Sequence, residues 1–183
     1  FVGATALREF GAEIFTVELV SISFLREFGV LLTAILIAGR SGSAFTAQIG
    51  SMKSREELDA IQALGLDAIE LLVIPRLLAL FVMLPLLTFI AMMMGIVGGG
   101  IVGTLALDIT PGMFISRVQE MTGVEHFWVG MVKAPVFAFL IATVGCLEGF
   151  KVEGSAESVG RHTTASVVQS IFLVIFADAL FAI

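Results

Sequence analysis

The sequence predicts an all-α fold, a polytopic bundle of membrane-spanning helices. Three observations carry that expectation. Of the 183 residues, 58% are hydrophobic and only 14% charged, and the mean hydropathy is +1.05; a soluble domain carries about a quarter charged residues to cover its surface. Four stretches are as long and apolar as a bilayer-crossing helix, which needs about 20 such residues. Lys and Arg are also unevenly shared among the connecting segments, the asymmetry that fixes orientation. The same composition excludes other classes. A net charge of −6 argues against a nucleic-acid partner, which needs a basic footprint. The single cysteine, Cys146, excludes a disulfide framework and a multi-cysteine metal site, and with no Asn there is no N-glycosylation acceptor.

The elements follow in order. Within residues 1–18, Phe1 to Leu7 reads as the tail of a preceding span, which makes five spans in the intact domain. Phe10, Ile14 and Val17 then fall at i, i+4 and i+7, with Arg8, Glu9, Glu13 and Glu18 elsewhere, the pattern of an interfacial helix. Residues 19–39 form the next span, interrupted by Arg26 and Glu27. Residues 40–76 form a long connecting segment, and 55–65 within it reads as a short amphipathic helix. Ser54 stands as N-cap with Glu57 three residues on. Leu58, Ile61 and Leu64 form its apolar stripe, Glu56, Asp59 and Gln62 lie off it, and Gly65 stops it. Such a face is buried on the membrane, on its own bundle or in a groove of a soluble partner. Residues 77–107 carry no charge and, as one tilted or broken helix, would be about 46 Å long; Gly98 to Gly100 is the expected bend or end. Residues 127–147 span with one intruder, Lys133, and residues 163–183 with another, Asp178.

Orientation comes from the basic residues. Arg40, Lys53, Arg55 and Arg76 lie in 40–76, and Lys151 and Arg161 in 148–162, against Arg117 alone in 108–126. The first two segments are therefore assigned to the cytoplasm, and 108–126 and 1–18 to the outside.

Several patterns bear on chemistry. Gly98, Gly100 and Gly103 match a dinucleotide-binding G-x-G-x-x-G, but no strand precedes them and the run sits in an apolar stretch. Gly95, Gly99 and Gly103 recur every four residues and read as a helix-packing face, as do Gly39, Ser43, Ala47 and Ser51. Gly39-Arg40-Ser41-Gly42 matches the G-x-S-G of rhomboid-type intramembrane serine proteases, and His162 lies on the same side, so a Ser41–His162 dyad is one alternative. Charges within spans are costly, and those retained are functional or paired. Arg26, Glu27, Lys133 and Asp178 all fall in the outer half of their spans. They read either as an ion-paired lock on the bundle or as the polar wall of an outward-facing cavity for a charged, amphipathic substrate. No residues show metal-ligand spacing, and there is no Walker motif, so ATP hydrolysis by this chain is not expected.

At these residues the sequence resembles the MlaE-like permeases of MCE-associated ABC lipid transporters. The matching stretches are Leu25 to Gly29, AGRSGSAFTAQIGSMK from Ala38 to Lys53, and EELDAIQALGLD from Glu56 to Asp67. Further matches are Pro75-Arg76, Leu84 to Thr88, and GRHTTASVVQS from Gly160 to Ser170. The block from Ala38 to Asp67 is similar to the longer members that carry a STAS-like domain ahead of the membrane part. One departure is Ala68, where many members have Pro. The resemblance implies a homodimeric, multi-pass permease of the Gram-negative inner membrane. It implies a cytoplasmic ABC ATPase that holds ATP and Mg, a periplasmic MCE-domain protein, a separate or fused STAS domain, and phospholipid as substrate. This chain itself would bind no cofactor. In that picture Glu56, Glu57, Leu58, Asp59, Ile61, Leu64 and Gly65 belong to the ATPase-contacting coupling helix, and Arg26, Glu27, Lys133 and Asp178 line the lipid pathway. A passive anchor for a periplasmic ring is the remaining alternative.

Overall fold

The computed structural model describes residues 13–106 and 109–181. The expected tail of a preceding span, and Arg8, Glu9 and Phe10 of the interfacial helix, lie outside them. All described elements are helical. Among the described residues four helices are long and apolar enough to cross a membrane: Val17–Ser54, Ile69–Leu105, Val124–Phe150 and Ala156–Phe181.

The first run is built from α1 (Glu13–Ser23), a π-helical turn (Phe24–Phe28), α2 (Gly29–Ile37), a second π-helical turn (Ala38–Gly42) and α3 (Ser43–Ser54). A short helix α4 (Glu57–Ala63) follows. A third π-helical turn (Ile69–Val73) leads into α5 (Ile74–Ala106), then come α6 (Pro111–Met121), α7 (Val124–Phe150) and α8 (Ala156–Phe181).

The helices overrun the apolar stretches that announce them. The first continues past Gly39 to Ser54, the second begins at Ile69 rather than 77, and the last begins at Ala156 rather than 163. Apolarity marks what suits hydrocarbon, whereas helix ends are set by capping of free N–H groups. Accordingly Ile69 N–H donates to Asp67 Oδ1 at 2.8 Å, and Ser158 N–H to Ser155 Oγ at 3.1 Å. The expected break at Gly98 to Gly100 is absent, because α5 runs unbroken to Ala106. Water cannot compete for backbone groups within a bilayer, so glycine there does not end a helix. The segment between the second and third spanning helices holds α6, which Pro111 opens at N1 after Thr110.

The chain divides into two compact units. One comprises residues 1–30 and 87–132. Its core is Val17, Ile109 and Phe114, with Ile96 and Val118 packed against them. Here α5 presents glycines to bulky side chains of the first run. A Cβ on Gly99 would meet Val20 Cγ1 at 2.7 Å, and one on Gly95 would overlap the Phe24 ring. Gly103 faces Phe114 and Ile109 at ordinary contact distance.

The other unit comprises residues 31–86 and 133–183. In it α3 and the adjoining π-turn pack on α7 through small residues. The face that does so is Ala38, Gly42, Thr46 and Gly50, all buried, and not the expected Gly39, Ser43 and Ala47. Gly39 is exposed, with no heavy atom within 4 Å of a Cβ placed there, and Ser43 Oγ turns back to donate to Gly39 O at 2.6 Å. Both rows are small at every fourth position, so side-chain size alone does not choose between them. The complementary row on α7 decides. Gly145 lies so close that an added Cβ would meet Gly42 O at 2.9 Å, while Gly149 receives Ile49 and Gly42 receives Ile141. Thr46 Oγ1 crosses the seam to donate to Gly145 O at 2.8 Å.

Gly145→Leu is therefore expected to abolish folded, monodisperse protein in detergent, since backbone cannot yield to the new side chain. Gly39→Ala should hold or slightly raise the melting temperature, through a helix-propensity gain of up to about 1 kcal/mol. Equal melting temperatures for parent and Gly145→Leu would contradict the close seam.

Candidate functional site

The charged residues inside the helices come first. Lys133 sits in α7 and Asp178 near the end of α8, and Lys133 Nζ donates to Asp178 Oδ1 at 2.9 Å. The lysine side chain is 1% exposed and the carboxylate 14%. A lone ammonium at that depth would cost several kcal/mol, so the bundle keeps it only with a counter-charge in place. Arg26 and Glu27 stand in the π-helical turn Phe24–Phe28, half-buried, and belong to the other compact unit. π-turns inside helices concentrate at functional positions because they re-aim side chains.

The second region is the connection after α3. Ser54 does not cap α4, contrary to expectation; its Oγ donates back to Gly50 O at 2.9 Å and closes α3 instead. The chain turns at Glu56, which adopts a left-handed conformation at φ 60°, and α4 starts at Glu57, so the helix is shorter than 55–65. Gly65 does end the element, at φ 75°, donating its N–H to Gln62 O at 2.9 Å. The expected stripe is split. Leu58 is 6% exposed and packs in a cluster with Ile49, Ala68, Leu72 and Cys146, with Ile61 and Phe150 against it. Leu64 is 77% exposed. A buried Leu58 cannot itself touch a docked protein. It holds the helix down, leaving Glu56, Asp59, Gln62, Ala63 and Leu64 facing outward.

Two features escaped the sequence reading. The Gly42–Thr46–Gly50 row facing Gly145 and Gly149 was announced by the G-x-x-x-G spacing in α7. The other is a polar knot at the α7–α8 connection. There Glu148, almost fully buried, binds Lys151 Nζ at 2.6 Å and His162 Nδ1 at 2.7 Å. Lys53 Nζ donates to Phe150 O at 2.5 Å beside it. His162 is thus engaged by a carboxylate, while Ser41 lies in the π-turn of the first run. Among the described residues no group of three or more His, Cys, Asp or Glu is placed to hold a metal ion.

Four apolar helices of spanning length, with a charged pair buried between two of them, define a multi-pass membrane protein with polar chemistry in its interior. The family model described as Permease MlaE matches residues 1–183. A probable ABC transporter permease protein of Synechocystis is 40% identical over 158 residues, covering 86% of this chain and 60% of its own length. One from Rickettsia bellii is 34% identical over 176 residues, covering 96% and 68%. The intermembrane phospholipid transport system permease protein MlaE of Haemophilus influenzae is 33% identical over 177 residues, covering 96% and 68%. The chain belongs to the MlaE permease family. That membership displaces the protease alternative built on Ser41 and His162.

Breaking the buried pair from one side should be worse than removing it. Lys133→Met alone leaves a carboxylate uncompensated, at a cost of about 3 kcal/mol, and should lower the detergent melting temperature by about 10 °C. Lys133→Met with Asp178→Leu should recover most of that loss. A double variant no more stable than the single one would show that the pair does not act as a unit.

Proposed function

We propose that this chain is the membrane-spanning permease subunit of an ABC transporter that moves phospholipids between the inner membrane and periplasmic MCE-type carriers, and so supports outer-membrane lipid asymmetry. The observation that carries this reading is the similarity, along 96% of the chain, to a Haemophilus protein named an intermembrane phospholipid transport permease.

The proposed mechanism assigns chemistry to the described residues. Two copies enclose a cavity with apolar walls for acyl chains. Lys133 and Asp178, with Arg26 and Glu27, supply charge along the lipid pathway for the headgroup. A phosphate competes with the Asp178 carboxylate for the Lys133 ammonium, so the pair opens only when a lipid replaces it. An ammonium released inside hydrocarbon would otherwise carry the full desolvation cost. This exchange makes the locking and the substrate-handling readings of the pair two states of one device.

ATP and Mg act in a separate ATPase on the cytoplasmic side, and a periplasmic MCE-domain protein receives or supplies the lipid. A STAS domain, fused or separate, completes the assembly. The contact surface on this chain is the outward face of α4, with Leu64 as its apolar anchor and Glu56, Asp59 and Gln62 around it. Leu58 and Ile61 transmit the push, since they are the residues seated on the bundle. Nucleotide-driven displacement of α4 then moves the bundle as a rigid-body shift.

The test separates support from contact. Leu64→Asp should abolish co-purification of the ATPase while leaving the melting temperature of the permease within about 2 °C, because the side chain is exposed. Leu58→Asp should unfold the region instead. Full retention of the ATPase by Leu64→Asp would remove α4 from the contact. A parent complex that moves lipid no faster than protein-free vesicles would leave only a passive anchor.

A further inference from the structure

The polar knot at Glu148 has no part in the mechanism above, and its register with the buried ion pair gives it one. Helices α7 and α8 are consecutive and antiparallel, joined by the short connection at 151–155. Among the described residues two ionic contacts bridge them, Glu148 to His162 next to the connection and Lys133 to Asp178 far from it. Lys133 precedes Glu148 by 15 residues, and Asp178 follows His162 by 16. At about 1.5 Å per residue these are rises of roughly 22 and 24 Å. The two contacts are therefore rungs of one antiparallel ladder, in the same register to within a residue.

Between the rungs, among the described residues, α8 makes no further ion pair to α7. Ser166 and Ser170 are fully buried, and their hydroxyls have no hydrogen-bond partner in the structure. A helix held by apolar contact and small residues can rotate or slide by a fraction of a turn at low cost, and the rung at the connection fixes which setting it takes. That rung is itself tied to the region of α4. Lys53, near the end of α3, donates to Phe150 O, and Phe150 packs on the cluster that contains Leu58 and Cys146.

We infer that Glu148 and His162 are positioning residues: they set the register of α8 on α7, so that displacement of α4 reaches the Lys133–Asp178 pair as a defined movement of both helices. Glu148 holds Lys151 and His162 at once, which stiffens the turn from both sides. Loss of the rung leaves α4 free to move but lets α8 lag behind. The consequence for transport rests on the permease function proposed above; the mechanical link itself does not.

Two measurements test it in the complete, reconstituted assembly. The first is lipid moved per ATP hydrolysed in Glu148→Gln and His162→Ala. ATPase association and hydrolysis should stay within twofold of the parent, while the lipid-to-ATP ratio should fall about tenfold. His162→Gln, whose amide can still donate to the carboxylate, should recover most of it. An unchanged ratio in both variants would overturn the inference. So would hydrolysis and transfer falling together with the melting temperature, the signature of a purely structural role. The second measurement needs no transport. Hydrogen exchange should rise in both 57–63 and 174–181 when Leu58→Ala loosens α4 in the parent, but only in 57–63 when Glu148→Gln is also present. The same response in both backgrounds would sink the mechanical link, whereas a parent assembly without lipid transfer would count against the proposed function alone.

Discussion

Much of this fold answers to one constraint: inside a bilayer no water is available to satisfy a polar group, so a charged group is kept where the protein supplies its partner, buried hydroxyls such as those of Ser166 and Ser170 being the exceptions. The Lys133–Asp178 pair is the sharpest case. The Lys133 side chain is 1% exposed, and a carboxylate stands 2.9 Å from its Nζ. Smaller polar groups follow the same rule with local partners. Ser43, Ser54 and Thr163 return their hydroxyls to carbonyls of the preceding turn, and Thr46 reaches across to Gly145 O. Where polar groups collect, at Glu148, Lys151 and His162, they do so as a connected knot rather than as isolated donors.

Close packing answers to the same constraint. Between apolar helices in lipid there is little hydrophobic gain to be had, so adhesion comes from contact and from crossing hydrogen bonds. Gly42 against Gly145 brings two backbones near enough for Thr46 to bond a main-chain carbonyl. The seam between α3 and α7 thereby secures the base on which Leu58 seats α4. A side chain that reads as part of a docking stripe becomes, in three dimensions, the foot of the element.

The membrane-spanning class was legible because apolar runs are long and unambiguous, and all four described spans were announced by composition. Helix limits were not, since caps such as Asp67 and Ser155 act locally in polar sequence that hydropathy ignores. The small-residue face was half legible. Ala38-Gly42-Thr46-Gly50 and Gly39-Ser43-Ala47-Ser51 are equally small, and only the partner's Gly145 and Gly149 separate them. Of the four intramembrane charges, the pairing of Lys133 with Asp178 follows from adjacency of consecutive antiparallel helices. The Glu148–His162 contact obeys the same register and went unread because both residues lie in a segment taken as loop.

The split character of α4 has an evolutionary side. The seven residues of α4 together with Leu64 carry two surfaces, one committed to Ile49, Ala68, Leu72 and Cys146 and one exposed. Substitutions at Leu58 are judged by the permease's own folding, whereas those at Gln62, Ala63 and Leu64, under the contact proposed above, are judged by compatibility with the ATPase. Under that proposed contact, lineages can drift in partner choice, or insulate parallel systems within one cell from cross-assembly, by changing a few exposed positions while the bundle beneath stays as it is.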